Sequence, residues 1–344
     1  MTAGAQDGGI LEPVRWEGDA VAYVDQRRLP HDLVRERAES VEQVVEAIAT
    51  LAVRGAPCIG MFAAYGVALA RGLHAGDDAF ARAADRIRAA RPTAVNLAWA
   101  VDRMLRAQPA GALAEAHAIA EETRLVDAAI ARHGAALVPS DCAAITHCNT
   151  GPLATGAGGT ALGVLIEAHR SGKRLHVYAD ETRPLLQGAR LTMLELAAAG
   201  LPATLIVDGA AAAVIGRKGI ALAIVGADRI ARNGDTANKI GTLGLALAAA
   251  YHRIPFYVAA PRSTIDFALA SGDGIPIEER AAHEVRAFAG AAAGPEGCDV
   301  YNPAFDVTPG RLIAGIVTEY GVARPPYAES IPDLETRPAL AALA

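Results

Sequence analysis

The sequence contains no run of lysines and arginines that would mark a binding surface for polyanions. Its 32 lysines and arginines are outnumbered by 38 aspartates and glutamates, which leaves a formal net charge of −6. A chain with this charge does not attract a nucleic-acid backbone or an anionic membrane surface. We therefore expect neither nucleic acid nor a membrane among its partners.

Long hydrophobic runs are also scarce, although 52% of the residues are hydrophobic. Runs such as Leu243 to Ala250 are far shorter than the roughly 20 residues that cross a bilayer as a helix. Residues Met1 to Gly9 lack a basic region followed by an apolar stretch, so we expect a disordered leader and not a secretory signal. These features predict a protein that is neither secreted nor membrane-spanning.

Paired cysteine motifs are absent as well. The four cysteines are Cys58, Cys142, Cys148 and Cys298. Their wide spacing fits a reducing compartment better than a disulfide framework or a zinc site, so we expect a cytoplasmic protein. The length of 344 residues suffices for about two domains.

The first part of the chain begins with strand-like alternation and then becomes helical. Two pieces between Val14 and Leu29 meet at a Gly-Asp turn, which indicates an antiparallel hairpin. Ser40 has the position of an N-cap for a helix that Gly55 would end. Helical periodicity continues over Ile59 to Gly72, Asp78 to Ala90, Thr93 to Gln108 and Ala110 to His133. We predict an N-terminal domain over residues 1–135 with a small antiparallel β element and helices.

Beyond residue 135 the pattern changes to short apolar runs of strand length, each followed by a segment of helix length. The runs are CAAITHC, RLHVYAD, ATLIVD, IALAIVGAD and IPFYVAA. Such alternation is typical of a parallel sheet flanked by helices. We therefore predict an α/β fold with a Rossmann-like catalytic domain over residues 136–344. Ligands of such sheets bind beyond the carboxyl ends of the strands, so polar residues there are the site candidates.

Cys148 and Asp228 each follow a predicted strand and carry side chains that can exchange protons. A free cysteine is most often buried packing, but a thiol at a strand end near basic groups can act as a base or nucleophile. Asp228 closes an apolar strand, where partial desolvation permits a carboxyl group to act as a general acid near neutral pH. For Asp228, capping of a turn or pairing with Arg229 is the structural alternative.

Several turns carry cations and amides that suit a phosphate group. Asn238 and Lys239 come where a helix is predicted to begin, which would combine backbone amides, a helix dipole and an ammonium group. Arg54 and Arg91 bear guanidinium groups, which bind phosphate oxygens in pairs. Gln187 opens a predicted helix, where its amide can bond a phosphate or hydroxyl group. Each of these residues, taken alone, is more often a solvated or capping residue.

A rival motif is the stretch from Gly156 to Ala161, which satisfies the loose G-x-G-x-x-G/A pattern of dinucleotide-binding enzymes. Its first glycine comes eight positions after Cys148, whereas a dinucleotide turn needs that glycine directly after the strand. We therefore interpret the match as chance. No Walker-type phosphate loop occurs in the sequence, so hydrolysis of nucleoside triphosphates is not expected.

Six longer motifs together resemble the methylthioribose-1-phosphate isomerase family along nearly the whole chain. They are RGAP (54–57), RPTAVNLAWAVDRM (91–104), THCNTG (146–151), ETRPLLQGARLT (181–192), VGADRIARNGDTANKIGT (225–242) and NPAFDVTP (302–309). The wider family includes ribose-1,5-bisphosphate isomerases and regulatory subunits of eukaryotic initiation factor two B. The resemblance implies a homodimer without cofactor or metal that converts 5-methylthioribose 1-phosphate into 5-methylthioribulose 1-phosphate in methionine salvage.

The resemblance also implies roles for the candidate residues. Cys148 and Asp228 match the catalytic pair. The positions that hold the substrate and its phosphate are matched by Arg54, Gly55, Ala56, Arg91, Gln187, Asn238 and Lys239. A sugar phosphorylated on its anomeric oxygen does not open its ring spontaneously, so the enzyme must catalyse ring opening before isomerisation.

Some positions depart from the family pattern. Gly209 and Ala210 stand where relatives commonly have a polar residue and methionine, and Gly158 stands where many have tyrosine. The preference among 5-methylthio, 5-deoxy and 5-hydroxy sugars therefore stays open. Arg262 replaces an aliphatic residue, which keeps ribose 1,5-bisphosphate open as a substrate.

A function of another class is also conceivable. The chain could be a non-catalytic sensor of sugar phosphates or nucleotides, as the initiation-factor subunits are. Retention of both Cys148 and Asp228 argues against this alternative.

Overall fold

The computed structural model separates into two compact units. The residues it describes are 12–74, 76–91, 94–107, 111–288 and 290–338. The first unit contains the described residues up to Ala128 together with Thr150–Gly159, and the second contains Ala129–Asn149 and the described residues from Thr160 onward. The expected disordered leader lies outside the described residues, and the domain boundary after residue 135 stays a prediction.

The predicted hairpin is present at the start of the first unit. A three-stranded antiparallel sheet is formed by β1 (Val14–Glu17), β2 (Ala20–Val24) and β3 (Arg35–Ala38). Glu17 pairs with Ala20, so Gly18 and Asp19 form the turn, and Gly18 adopts a φ of 67° that glycine tolerates best. The Gly-Asp turn inferred from the sequence is therefore confirmed.

Five long helical segments follow the small sheet. They are α1 (Val41–Ala49), α2 (Ala56–Leu73), α3 (Asp77–Ala89), α4 (Val95–Arg106) and α5 (Ala112–Ala135). Ser40 caps α1 as predicted, because its hydroxyl accepts from the Gln43 amide while the Gln43 side chain accepts from the Ser40 amide. The predicted ends at Thr93, Gln108 and Ala110 lie outside the described residues.

Gly55 has a different place from the one predicted, because it precedes α2 and does not end α1. Helix α1 already ends at Ala49, and Gly55 is the N-cap of α2 with a φ of 93°. A Cβ atom at this position would lie 2.2 Å from the carbonyl oxygen of Ala154. Close backbone packing therefore requires glycine here.

Helix α2 is the central helix of the first unit. By length and composition it could cross a membrane, but 72% of it is buried inside the protein. Within the described ranges it is the one helix with that property. Its Phe62 packs edge-to-face on Tyr23 of β2, with 5.1 Å between the ring centroids. Burial of this kind is typical of a core helix, and the helical periodicity predicted over Ile59 to Gly72 is confirmed.

The strands and helices beyond α5 build most of the second unit. The strands are β4 (Asp141–Thr146), β5 (Arg174–Asp180), β6 (Ala203–Ile206), β7 (Ile220–Val225), β8 (Arg229–Ala231), β9 (Thr236–Lys239), β10 (Phe256–Ala259), β11 (Ile265–Asp266), β12 (Ala287–Phe288), β13 (Ala291–Ala292), β14 (Phe305–Thr308), β15 (Gly315–Thr318) and β16 (Gly321–Ala323). The helices are α6 (Pro152–Thr155), α7 (Ala161–Arg170), α8 (Met193–Ala198), α9 (Ala211–Lys218), α10 (Thr242–His252), α11 (His283–Arg286), α12 (Tyr327–Ser330) and α13 (Pro332–Glu335). Of these, α6 belongs to the first unit.

A seven-stranded sheet with the order β16-β15-β10-β7-β4-β5-β6 forms the core of the second unit. All its neighbouring pairs are parallel except β15 with β16. Ile145, Val225 and Val258 on adjacent strands are fully buried, and each such side chain stabilises the fold by about 1.5–3 kcal/mol. All five apolar runs predicted as strands are strands, which confirms the predicted Rossmann-like architecture.

A smaller, four-stranded sheet includes β8, the strand that follows β7 in the sequence. Its order is β11-β8-β9-β14, and β9 pairs antiparallel with β14. Asn238 and Lys239 are therefore strand residues, whereas the sequence predicted the start of a helix there. Helix α10 begins only at Thr242.

Candidate active site

The sheet topology brings the two predicted catalytic residues to neighbouring strand ends. From β4 the chain builds β5 and β6 on one side, and then returns to place β7 and β10 on the other side of β4. Such a reversal leaves a crevice at the carboxyl ends of the two central strands, where ligands of open α/β sheets bind. Cys148 follows β4 and Asp228 follows β7, so both residues lie in the loops that border this switch point.

Cys148 is held in an uncommon backbone conformation. Its φ of 64° lies in the left-handed region, which costs a non-glycine residue on the order of 1–3 kcal/mol. The backbone is fixed at both ends, because its amide donates to Thr182 Oγ1 at 2.9 Å and its carbonyl accepts from Thr192 Oγ1 at 2.6 Å. The thiol-bearing residue is 8% exposed. These two hydrogen bonds fix the backbone from which the Cys148 side chain extends.

His147, the residue before Cys148, is almost completely buried and is hydrogen-bonded at both ring nitrogens. Nδ1 lies 2.9 Å from Asp180 Oδ2, and Nε2 lies 2.8 Å from the carbonyl oxygen of Ile240. Burial alone would lower the pKa of His147, but the hydrogen bond and charge of Asp180 outweigh it and raise that pKa above its usual value. The other carboxyl oxygen of Asp180 has no hydrogen-bond partner among the described residues.

His147, Asp180 and Asp208 together have the composition of a metal site, with potential ligand atoms within 4.8 Å of one another. Most of these potential ligand atoms are already hydrogen-bonded, and the exception is the one carboxyl oxygen of Asp180 described above. Both nitrogens of His147 are bonded, and the two carboxylate oxygens of Asp208 accept from the backbone amides of Thr182 and Arg183 at 2.7 Å. The arrangement therefore fits a hydrogen-bond network that shapes the loop around Cys148.

Asp228 differs from the expectation in its exposure to solvent. Strand β7 ends at Val225, three residues earlier, and the Asp228 side chain is exposed where partial desolvation was predicted. Its backbone amide donates to the carbonyl of Ala237 on β9 at 2.9 Å, which fixes the turn. Arg229 lies 3.6 Å from Asp266. Asp228 is thus an exposed residue on an ordered backbone turn.

Gln187 is the candidate with the clearest unsatisfied polar group. It is 5% exposed, and its side-chain carbonyl oxygen has no hydrogen-bond partner among the residues that the structure describes. A buried amide oxygen left unpaired costs about 1–3 kcal/mol, so such groups are usually explained by a ligand or water. Gln187 precedes a π-helical turn, Gly188–Thr192, whose last residue holds Cys148.

Asn238 and Lys239 lie on β9 close to the start of α10. The Asn238 amide donates to Thr242 Oγ1 at 3.0 Å, and the Lys239 ammonium donates to the carbonyl of Ala304 at 2.9 Å. The carboxylate of Asp306 accepts from the amides of Gly241 and Leu243 and so occupies the helix N-terminus. The helix-dipole argument for an anion at this point is therefore wrong, while the proposed substrate contacts of Asn238 and Lys239 stay a prediction.

The remaining candidates belong to the first unit. Gly55 and Ala56 form the start of α2, directly after Arg54, and Arg91 follows α3. Arg54 and Arg91 are both half-buried. Their predicted contacts with the substrate phosphate stay a prediction.

The glycine-rich stretch from Gly156 to Ala161 has its amides occupied by the protein itself. The amides of Gly158 and Gly159 donate to one carboxylate oxygen of the buried Asp127, at 2.9 and 2.8 Å. In a dinucleotide-binding loop, amides at such a turn face a pyrophosphate. An internal carboxylate on these amides excludes that use, so the interpretation of the motif as chance is supported.

Sequence reasoning overlooked several residues that shape the candidate site. Thr182, Thr192 and Asp306 bond backbone groups of the site, and the carboxyl group of Asp180 bonds the ring of His147. Thr182, Thr192 and Asp306 lie inside motifs that carry the family resemblance, and that location was the available signal. Their partners are far away in the chain, so no local pattern shows them.

Comparisons with known proteins agree with the topology of the chain. The profile of the Initiation factor 2 subunit family matches residues 52–325. A methylthioribose-1-phosphate isomerase of Thermus thermophilus is 52% identical over 310 residues, which cover 90% of this chain and 92% of that protein. These matches extend across both units.

Two solved structures are similar over most of the chain. The crystal structure of 5-methylthioribose 1-phosphate isomerase from Pyrococcus horikoshii has a TM-score of 0.89 and 40% identity, covering 94% of this chain and 95% of that one. A structure described as translation initiation factor eIF-2B, subunit delta, from A. fulgidus has a TM-score of 0.86 and 39% identity, covering 94% of this chain and 99% of that one. The chain belongs to the Initiation factor 2 subunit family and, within it, to the methylthioribose-1-phosphate isomerases.

Proposed function

We propose that this chain isomerises 5-methylthioribose 1-phosphate to 5-methylthioribulose 1-phosphate, an aldose–ketose conversion in methionine salvage. The observation that carries the proposal is the location of Cys148 and Asp228 after the two strands at the switch point of the sheet. The relatives named as this isomerase match the chain over nearly its whole length. The proposed reaction moves hydrogen within one molecule and is redox-neutral overall, so it consumes no oxidant or reductant.

In the proposed reaction, Asp228 acts first as a general acid. It donates a proton to the ring oxygen while the bond between that oxygen and C1 breaks. The thiolate of Cys148 then removes the proton from C2 and returns it to C1. Asp228 takes the proton of the C2 hydroxyl as the carbonyl forms, so both residues end in their starting states.

A direct shift of hydride from C2 to C1 is the other route to the same product. It would leave Cys148 to stabilise the migrating hydrogen and not to carry it. Deuterium at C1 of product formed in D2O would rule out an exclusive hydride shift.

The proposed contacts with the sugar and its phosphate follow the resemblance. They involve Arg54, Gly55, Ala56, Arg91, Gln187, Asn238 and Lys239. The unpaired, buried side-chain oxygen of Gln187 supports a contact with a hydroxyl donor of the substrate.

Ribose 1,5-bisphosphate is a weaker candidate as substrate, because Arg262 is already engaged. Its guanidinium donates to the main-chain carbonyls of Leu334 and Arg337 and lies 5.3 Å from the centre of the Tyr320 ring. An arginine bound in this way offers less to a second phosphate group than a solvated one does.

A comparison of three substrates tests the proposed specificity. Initial rates would be measured with 5-methylthioribose 1-phosphate, 5-deoxyribose 1-phosphate and ribose 1,5-bisphosphate, with the ketose product followed by NMR. We expect the highest kcat/KM for the methylthio sugar and the lowest for the bisphosphate, because Arg262, the cation considered for a second phosphate, is already hydrogen-bonded. A higher kcat/KM for the bisphosphate would refute the proposed substrate.

We also propose a cytoplasmic homodimer. Helix α10 presents Leu247 and Tyr251 one turn apart, and their exposed fractions are 53% and 83%. Large apolar side chains grouped on one helix face favour an interface. Light scattering should give about twice the chain mass of 35.4 kDa, and Tyr251→Glu should shift the mass toward the monomer. A wild-type mass of one chain would contradict the dimer.

A further inference from the structure

The imidazole of His147 lies between the strand end that carries Cys148 and the turn that follows Lys239. Since a carbonyl oxygen only accepts hydrogen bonds, the 2.8 Å contact with Ile240 requires a proton on Nε2. The 2.9 Å contact with Asp180 holds a second proton between Nδ1 and the carboxyl group. Both edges of the ring are therefore bonded to fixed groups, and the side chain is 1% exposed.

Asp180 holds the dipeptide His147-Cys148 at two points. Its carboxyl group bonds the His147 ring, and its backbone carbonyl accepts from Thr182 Oγ1 at 3.1 Å. The same Thr182 oxygen accepts from the Cys148 amide at 2.9 Å. These bonds close a ring around the strained residue, so that movement of the imidazole is transmitted to the backbone of the thiol.

The opposite edge of the imidazole fixes the turn after Lys239. Gly241 packs so tightly on the ring that a Cβ atom there would lie 2.8 Å from His147 Cε1. Asp306 holds the amides of Gly241 and Leu243 from another direction. The turn is thus held from two sides: His147 bonds the carbonyl of Ile240, and Asp306 bonds the amides of Gly241 and Leu243.

We propose that His147 is a positioning residue of the isomerase site, which with Asp180 fixes the Cys148 thiol relative to the β9 backbone that carries Asn238 and Lys239. This inference rests on the proposed function and extends it to a residue that does not itself react. The titratable groups that face the ring are Asp180, Asp208 and Asp306. The bond to Ile240 is the essential element, because it is the described hydrogen bond between the ring and the turn after β9.

Two substitutions of His147 distinguish the effect of its hydrogen bond to Ile240 from the effect of its packing in the core. His147→Asn puts an amide group near the position of Nδ1, which preserves a bond to Asp180 and removes the bond to Ile240. His147→Gln reaches the position of Nε2 and preserves the bond to Ile240. Since His147→Gln leaves a buried carboxyl group without its partner, Asp180→Asn is added to it in a double variant.

We expect kcat to fall roughly 100-fold in His147→Asn, because displacement of a reacting group by about 1 Å costs that much. The double variant His147→Gln/Asp180→Asn should recover a large part of this loss. Thermal denaturation of each variant corrects the rates for the folded fraction. His133→Gln serves as the control, because His133 is a half-buried histidine whose Nδ1 also bonds a backbone carbonyl, that of Thr318 at 3.0 Å.

A second measurement reports on the thiol without any substrate. The rate at which iodoacetamide alkylates Cys148, followed by peptide mass spectrometry, should rise severalfold in His147→Asn and stay unchanged in His133→Gln. Equal kcat in His147→Asn and the wild type, or equal losses in His147→Asn and the double variant, would overturn the positioning role. A wild-type protein without isomerase activity but with the expected alkylation rates would refute the proposed function and leave the positioning of Cys148 supported.

Discussion

Replacement of Cys148 by serine is expected to lower kcat for 5-methylthioribose 1-phosphate by a factor of about 10²–10⁴, the usual contribution of a positioned acid or base. Serine has nearly the size of cysteine and fits the same backbone position, with its amide on Thr182 and its carbonyl on Thr192. Its hydroxyl group does not ionise near neutral pH and therefore cannot replace a thiolate. Rates measured at saturating substrate would give the loss directly.

Cys142→Ser is the matched control for this experiment. Cys142 is the second residue of β4, the strand that Cys148 follows. It is half-buried, and its thiol lies 3.8 Å from the carbonyl oxygen of Pro139. We expect this variant to keep the wild-type kcat and a similar melting temperature. Full turnover in Cys148→Ser would remove the thiol from the proposed mechanism.

Replacement of Asp228 by asparagine is expected to lower kcat by a comparable factor, because an amide cannot donate a proton to the ring oxygen. The side chain is exposed, so the free energy of unfolding should change by less than about 0.5 kcal/mol, as for other surface substitutions. The backbone amide of residue 228 keeps its bond to Ala237 in the variant. Steady-state kinetics and thermal denaturation together separate loss of chemistry from loss of fold.

Asp273→Asn provides the control for the charge change, because Asp273 is an exposed aspartate of the second unit. It should leave kcat and KM unchanged. If Asp228→Asn retained wild-type kcat, the ring oxygen would need another proton donor, and the assignment of Asp228 as general acid would fail.

Local patterns were sufficient to predict much of the fold. The capping box at Ser40 involves residues three positions apart, and the hairpin turn at Gly18 needs one glycine with a positive φ. Likewise, the apolar runs of the second unit signal buried parallel strands because both faces of such strands are covered. Each of these features depends on neighbours in the chain, and the structure confirms them.

Predictions failed where a distant residue determines the local chemistry. Asp306 caps the N-terminus of α10 from more than 60 positions away, so the sequence around Lys239 gave no sign that the helix amides were taken. By contrast, the interpretation of the glycine-rich stretch as a chance match is supported, because Asp127 occupies its amides from 31 positions away. The exposure of Asp228 depends on where β7 ends, and the apolar pattern does not fix that end to within three residues.

The central claim is that this chain opens the ring of a 1-phosphorylated pentose and isomerises it with Cys148 and Asp228. The most direct test is to follow purified wild-type protein with 5-methylthioribose 1-phosphate by ¹³C NMR. We predict that the C2 ketone signal of 5-methylthioribulose 1-phosphate appears with the wild type and is reduced by at least about 100-fold in rate with Cys148→Ser or Asp228→Asn. Failure of the wild type to form the ketone, or its formation at equal rates by all three proteins, would contradict the claim.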